Sequence, residues 1–162
     1  MDSLKDVYVD QLQDLYSANT QAAAAVDGLA KAATSDTLRS ALDRGIAGIK
    51  DGIQKLEGMI RAIGADPNAE HCKGMEGLVR EAKAHALNAE FGADALRDAV
   101  IITQYQRMAH YAIAGYGSAA AFAKQLGQTE DAATLQEMLD AAYSGDRTMS
   151  EIAETTINQR AA

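Results

Sequence analysis

Eight positions within the first 33 residues, Tyr8, Leu12, Leu15, Asn19, Ala22, Val26, Leu29 and Ala33, are separated by alternating steps of four and three. That spacing keeps side chains on one stripe of an α-helix, whereas a strand would need alternation by two. All but Asn19 are apolar or small, so the stripe reads as buried and predicts a helix from about Leu4 to Ala33. The same rhythm recurs through Leu42, Ile46, Ile49, Ile53, Leu56, Ile60 and Ile63. It returns in Ile101, Tyr105, Met108, Ala112, Gly115, Ala119, Phe122 and Leu126, and again in Leu135, Leu139, Ala142, Asp146, Met149, Ala153 and Thr156. A stripe of this kind cannot remain in water, and the way to bury four of them together is to pack the helices around a common axis.

Start and stop signals agree with the periodicity. Ser35 or Asp36 can cap the second helix, and Gly64 followed by Pro67 stops it. Gly127 ends the long helix that begins near Ala95, and Thr129 can cap the last, with Glu130 and Asp131 suiting its positive end. A shorter helix, about Gly74 to Ala89, turns Met75, Leu78, Val79, Ala82 and Ala86 inward, and Glu90 to Asp94 connects it to the next. Composition supports helices: there are 34 alanines and one proline, and aromatics make up only 5%. The expected fold is all-α, an up-down four-helix bundle in one domain over residues 1–162. Short connections form two hairpins, and one long crossover contains the fifth, short helix. Two hairpins joined by one crossover is the ferritin-like arrangement.

The formal charge is −8 and the basic residues are scattered, so nucleic acid and an anionic membrane surface are poor partners. No run of apolar residues is long enough to span a bilayer. The first residues, MDSLKDVYVDQLQDLY, lack the basic-then-apolar order of a signal peptide, and the one cysteine, Cys72, suits a reducing compartment. Cytoplasm is the expected location.

Bundles of this type often hold two iron or manganese ions, with Glu from two helices and Glu-x-x-His from the other two. The spacing is needed because i and i+3 share a helical face. It is absent here: the residues three before His71, His85 and His110 are Asn68, Ala82 and Arg107. The seam midpoints offer Asn19 in the first helix, and Ala47, Gly48, Ile49 and Gly52 in the second. They offer Ala109, Ala112 and Gly115 in the fourth, and Ala141, Ala142 and Gly145 in the last, with Asp146 nearby. One acid and one amide cannot hold two divalent ions. Gly45, Gly48 and Gly52 lie on one face of the second helix, at about 0.8–1 kcal/mol each relative to Ala. Close helix–helix approach is the first reading, a small cavity or gate lined by Gly and Ala the second, and drift at a disused site the third. Under the first two, a large side chain at Gly48 is expected to destabilise.

Four stretches carry a resemblance. LQDLYSA (Leu12 to Ala18), KAATSDTL (Lys31 to Leu38), CKGMEGLVREA (Cys72 to Ala82) and HYAIAGYGSAAAFAKQLG (His110 to Gly127) resemble the YciE/YciF-type ferritin-like stress proteins, in family order and across nearly the whole chain. The resemblance implies a ferritin-like bundle, often dimeric, linked to bacterial stress responses and without a settled activity. It also implies carboxylates that this chain lacks. Typical members carry Glu after LYSA, where Asn19 stands, and a Glu pair in helix 2, where Ala47 and Gly48 stand. They carry Glu on both sides of the HY pair, where Ala109 and Ala112 stand, and a Glu run in helix 5, where this chain reads Asp140, Ala141, Ala142. The departure touches all four helices. A buried carboxylate without its metal is expensive, so joint loss is physically sensible.

Other residues have a plain reading beside a sharp one. His110 suits an interhelical hydrogen bond or subunit contact better than a ligand or proton carrier. Tyr111 and Tyr116 suit packing with a bonded hydroxyl better than redox chemistry. Cys72 has only His71 and Lys73 beside it to activate a thiol, which favours a structural role. Glu81 and His85 form a surface pair, and Gly74 and Gly77 lack the context of a phosphate loop. The expected function is a metal-free, non-catalytic bundle with a structural or stress-associated role through assembly or its surface, as a homodimer without cofactor. The alternatives are an oxidoreductase with two iron or manganese ions on atypical ligands, and a small-molecule binder using the Gly/Ala-lined centre.

Overall fold

The computed structural model describes all residues from Met1 to Ala162. Four long helices run over Leu4–Ala32 (α1), Asp36–Ala62 (α2), Asp94–Gln125 (α4) and Thr129–Ile152 (α5), with a short α3 at Lys73–Ala82 between α2 and α4. No strand is present. Of the two cap candidates for α2, Ser35 takes the role, its hydroxyl accepting from the Leu38 N–H. At α5 the residue in the cap position is Gln128, which makes no side-chain cap; Thr129 is already helical. Gly64 and Gly127 adopt φ of +83° and +72° and close α2 and α4. In each turn a six-residue bond follows, Ala65 N–H to Ile60 O and Gln128 N–H to Ala123 O, at 3.1 and 2.9 Å. That left-handed position needs glycine.

α1 pairs with α2 and α4 with α5 as tight hairpins, and α1 also packs on α4 and α2 on α5. Contacts from Thr34 to Asp98 and from Asp14 to Tyr111 run α1 antiparallel to α4. α2 and α4 therefore point the same way across the bundle, which only a full-length crossover permits. That crossover climbs the outside of the α1/α4 face. Ser17 Oγ accepts from the Cys72 N–H at 2.9 Å, Gln21 donates to the Cys72 carbonyl at 3.0 Å, and Leu87 lies against Gly28. Cys72 caps α3 through its sulfur, which accepts from the Met75 N–H at 3.3 Å.

The seams are buried as expected in α1, while two others shift. In α5 the buried residues are Leu135, Met138, Met149 and Ile152, with Ile157 buried just beyond its end, and Leu139, Ala142 and Asp146 are half-buried. One cause is a π turn at Ala153–Ile157. Its extra residue advances the register, so Ile157 rather than Thr156 points inward. A second π turn, Lys83–Leu87, widens the end of α3. Ile49 and Ile53 of α2 are also half-buried, and Ile49 lines an opening between α2 and α5 at mid-height.

The apolar core is divided. One cluster of 22 buried residues, including Val26, Leu29, Leu42, Ile101 and Met149, fills one end, and a second of 12, including Leu12, Leu15, Leu56, Ile60 and Leu135, fills the other. A buried carboxylate fastens the first end. Asp98, 2% exposed, accepts from the Thr34 N–H, the Thr34 hydroxyl and the Ser35 N–H at 2.7–2.9 Å, tying the α1–α2 turn to α4. Replacing Asp98 by Ala removes all three bonds and is expected to lower stability by about 2–4 kcal/mol in urea unfolding followed by circular dichroism. A loss below about 0.5 kcal/mol would show that the turn holds without it.

A mid-bundle cavity between α2 and α5

Between the two apolar clusters lies a cavity of about 360 Å³ that opens between α2 and α5. Each helix contributes small residues to it: Gly45, Gly48 and Gly52 from α2, Ala109 and Ala112 from α4, and Ala141, Ala142 and Gly145 from α5. Asn19 of α1 forms part of its floor. The seam midpoints therefore meet, with two exceptions. Gly115 packs against Leu15 away from the cavity. Ala47 is exposed on the outer side of α2 and does not reach the cavity, being one helical step from Gly48. Gly48 and Ala141 are themselves exposed and belong to the rim.

The glycines of α2 do not serve backbone approach. A Cβ at Gly48 would meet nothing within 4 Å. At Gly45 it would lie 2.8 Å from the Tyr105 hydroxyl, and at Gly52 3.2 Å from Met138 Cε and 3.4 Å from the Tyr116 hydroxyl. Gly45 and Gly52 make room for side chains that enter from α1, α4 and α5, while Gly48 faces open space. Close packing belongs instead to Gly115, where a Cβ would sit 2.5 Å from Leu15 Cδ2.

Two phenols and an amide reach the cavity. Asn19, 2% exposed, donates its Nδ2 to the Tyr116 hydroxyl at 2.6 Å, and the Tyr116 proton and the Asn19 Oδ1 have no protein partner. Tyr105 places its hydroxyl between Gly45 and Gly145 without a hydrogen bond. Burial pushes both phenols above their ordinary pKa; the Asp146 charge adds to this at Tyr105, while the Asn19 bond opposes it at Tyr116. Both stay protonated at neutral pH and are available as donors.

The remaining candidates lie outside the cavity. Asp146 is turned toward α4, where its Oδ1 accepts from Gln106 at 3.1 Å and its Oδ2 lies 3.2 Å from His110 Nε2. His110 is 61% exposed on the outer face, in an interhelical contact. Tyr111 points the opposite way, donating to Asp14 at 2.9 Å and accepting from the Cys72 thiol at 3.0 Å. Cys72 is 1% exposed, and burial pushes its thiol up, which suits a structural residue. Glu81 and His85 form a solvated pair at 3.2 Å.

The donor chemistry does not fit two divalent ions. The centre offers an amide, two phenols and methyl groups, and nowhere in the chain do three His, Cys, Asp or Glu side chains converge on one point. The carboxylates nearest the cavity, Asp51 and Glu137, stand at its mouth, and Asp51 is paired with Lys55 at 2.8 Å. Tyr105, Met108 and Met149 were visible only as seam residues, and Met138 lay off the expected seam. For Tyr105 the signal was the pair of glycines, Gly45 and Gly145, that face its hydroxyl.

Comparison with known proteins agrees with this architecture. A domain of unknown function (DUF892) matches residues 3–162. The chain belongs to this family. It is 30% identical to the YciF protein of Escherichia coli K12, covering 99% of this chain and 96% of that one. The crystal structure of the E. coli stress protein YciF superposes with a TM-score of 0.90 at 29% identity, covering 98% and 99% of the two chains. YcfI from Rhodopseudomonas palustris gives 0.86 at 25% identity, over 93% and 94%.

The placement of the glycines makes opposite expectations for the same change. Gly48→Ala should raise stability by about 0.5–1 kcal/mol, since it gains helix propensity and meets no neighbour. Gly115→Ala should lower it by about 1–2 kcal/mol, since Leu15 must move. Denaturant midpoints of the two variants check this; destabilisation at Gly48 would mean that α2 and α5 are closely packed there.

Proposed function

We propose that this DUF892 protein is a metal-free bundle with a non-catalytic, stress-associated role, acting in the cytoplasm as an assembled scaffold or through its surface. The observation that carries the reading is the residue set at the bundle midpoint. Four helices present Asn19, Gly48, Ala112 and Ala142 toward one cavity, and none of the four is an acid. Oxygen-loving divalent ions need several carboxylates there, and a single buried one without a partner would be strongly destabilising. The relatives support the coarser part of the reading: YciF of E. coli is described as a stress protein, and the R. palustris relative was put forward as a structural one. The absence of any helix long and apolar enough to cross a membrane is compatible with a role in solution.

Assembly is the active part of this proposal, because a bundle without a reaction centre acts through what it contacts. Elemental analysis of protein purified from cells supplied with iron and manganese tests the metal reading. Well under one ion per chain is expected, and about two per chain would overturn it in favour of an oxidoreductase on atypical ligands. Light scattering tests the assembly: a mass of twice the 17.1 kDa chain is expected, and a mass of one chain would remove the dimer.

A further inference from the structure

The mid-bundle cavity has properties that its small residues alone do not explain. Four of the six methionines, Met75, Met108, Met138 and Met149, line it. Methionine is flexible and its sulfur contacts the edges of aromatic rings favourably. Tyr105 is 92% buried by its 8% exposure, yet its hydroxyl bonds to nothing in the protein, and it reaches the cavity through a slot between Gly45 and Gly145. Tyr116, 6% exposed, accepts from Asn19, and its one hydroxyl proton has no acceptor in the protein. Both tyrosines line the open cavity, where a bound acceptor can pair with their hydroxyls. The volume, about 360 Å³, falls in the range of small-molecule sites. The charged residues stand at the mouth and balance: Arg44 and Lys55 against Asp51 and Glu137.

We propose that this cavity is a binding site for a small, uncharged aromatic molecule bearing a carbonyl oxygen. The rings lie among the methionine side chains and against the Ala/Gly wall, and the carbonyl accepts from one of the two phenols. A carbonyl accepts without donating, so it complements groups whose free valence is a proton. An ion has no counter-charge inside the cavity. The inference is independent of the metal reading above, because it rests on the phenols and methionines and is read by ligand binding rather than by metal content.

Benzophenone and diphenylmethane, which differ in the carbonyl, are suitable probes for the full chain. Benzophenone also labels neighbouring C–H bonds on illumination. Saturable labelling confined to cavity residues such as Met108, Met138 and Met149 is expected, with a rise in Tm. Ala112→Leu fills the cavity and should weaken benzophenone binding about tenfold or more. Gly48→Leu, at a rim position whose Cβ meets no neighbour, keeps the test open if the first variant does not fold. Tyr105→Phe and Tyr116→Phe are read as a pair: at least one should lose about threefold or more in affinity for benzophenone while keeping its affinity for diphenylmethane. Labelling that does not saturate, that spreads over exposed residues, or that survives a folded filling variant overturns the site. Equal losses for both probes, or no loss in either phenol variant, overturn the carbonyl.

Discussion

Large apolar side chains at the two ends of the bundle set how far apart its helices stand. Leu12, Leu15, Leu56, Ile60 and Leu135 meet across one end, and Leu29, Leu38, Leu42, Ile101 and Met149 across the other. Helices packed through such residues lie about 8–10 Å apart. At mid-height, where alanine and glycine face inward, the side chains are too short to close the same gap between α2 and α5. The rigid helices do not bend to meet. The cavity and the half-burial of Ile49 follow from that mismatch.

Polar contacts then choose one arrangement among those the apolar stripes would allow. Asp98 fastens the α1–α2 turn to α4, and Tyr8 donates to Asp131 at 2.9 Å, tying α1 to the start of α5 at the other end. Cys72, Tyr111 and Asp14 form a chain of hydrogen bonds that sets the height at which the crossover enters. Apolar stripes slide past one another by a helical turn at modest cost, whereas a buried carboxylate has few places where its bonds can be satisfied. These contacts hold the cavity at one height by fixing the register of the helices around it.

On the proposed reading, an uncharged organic molecule can use the space at the centre where four-helix bundles with two-metal centres carry carboxylates. The physical requirements differ sharply. A metal site needs several charges that compensate one another, while an apolar cavity needs space, polarizable walls and a few donors. Tyr105 and Tyr116 supply donors in a wall otherwise made mainly of methyl, methylene and thioether groups. The glycines that admit Tyr105 are thereby explained without invoking backbone contact.

The four helices, the glycine stops and a cap at Ser35 or Asp36 were readable from spacing, because helix periodicity and capping are local properties of the chain. So was the lack of Glu-x-x-His, which is a fact about neighbours three residues apart. The register of α5 was not readable, because the π turn at Ala153–Ile157 depends on how the helix end packs. Nor was the role of Asp98, whose partners lie 63 and 64 residues away. The sequence by itself determined that the chain forms long helices with a small-residue, carboxylate-poor midpoint. Only the tertiary structure decided that this midpoint stays open, since whether an alanine or glycine means contact or space depends on the distance to a neighbour that other residues hold in place.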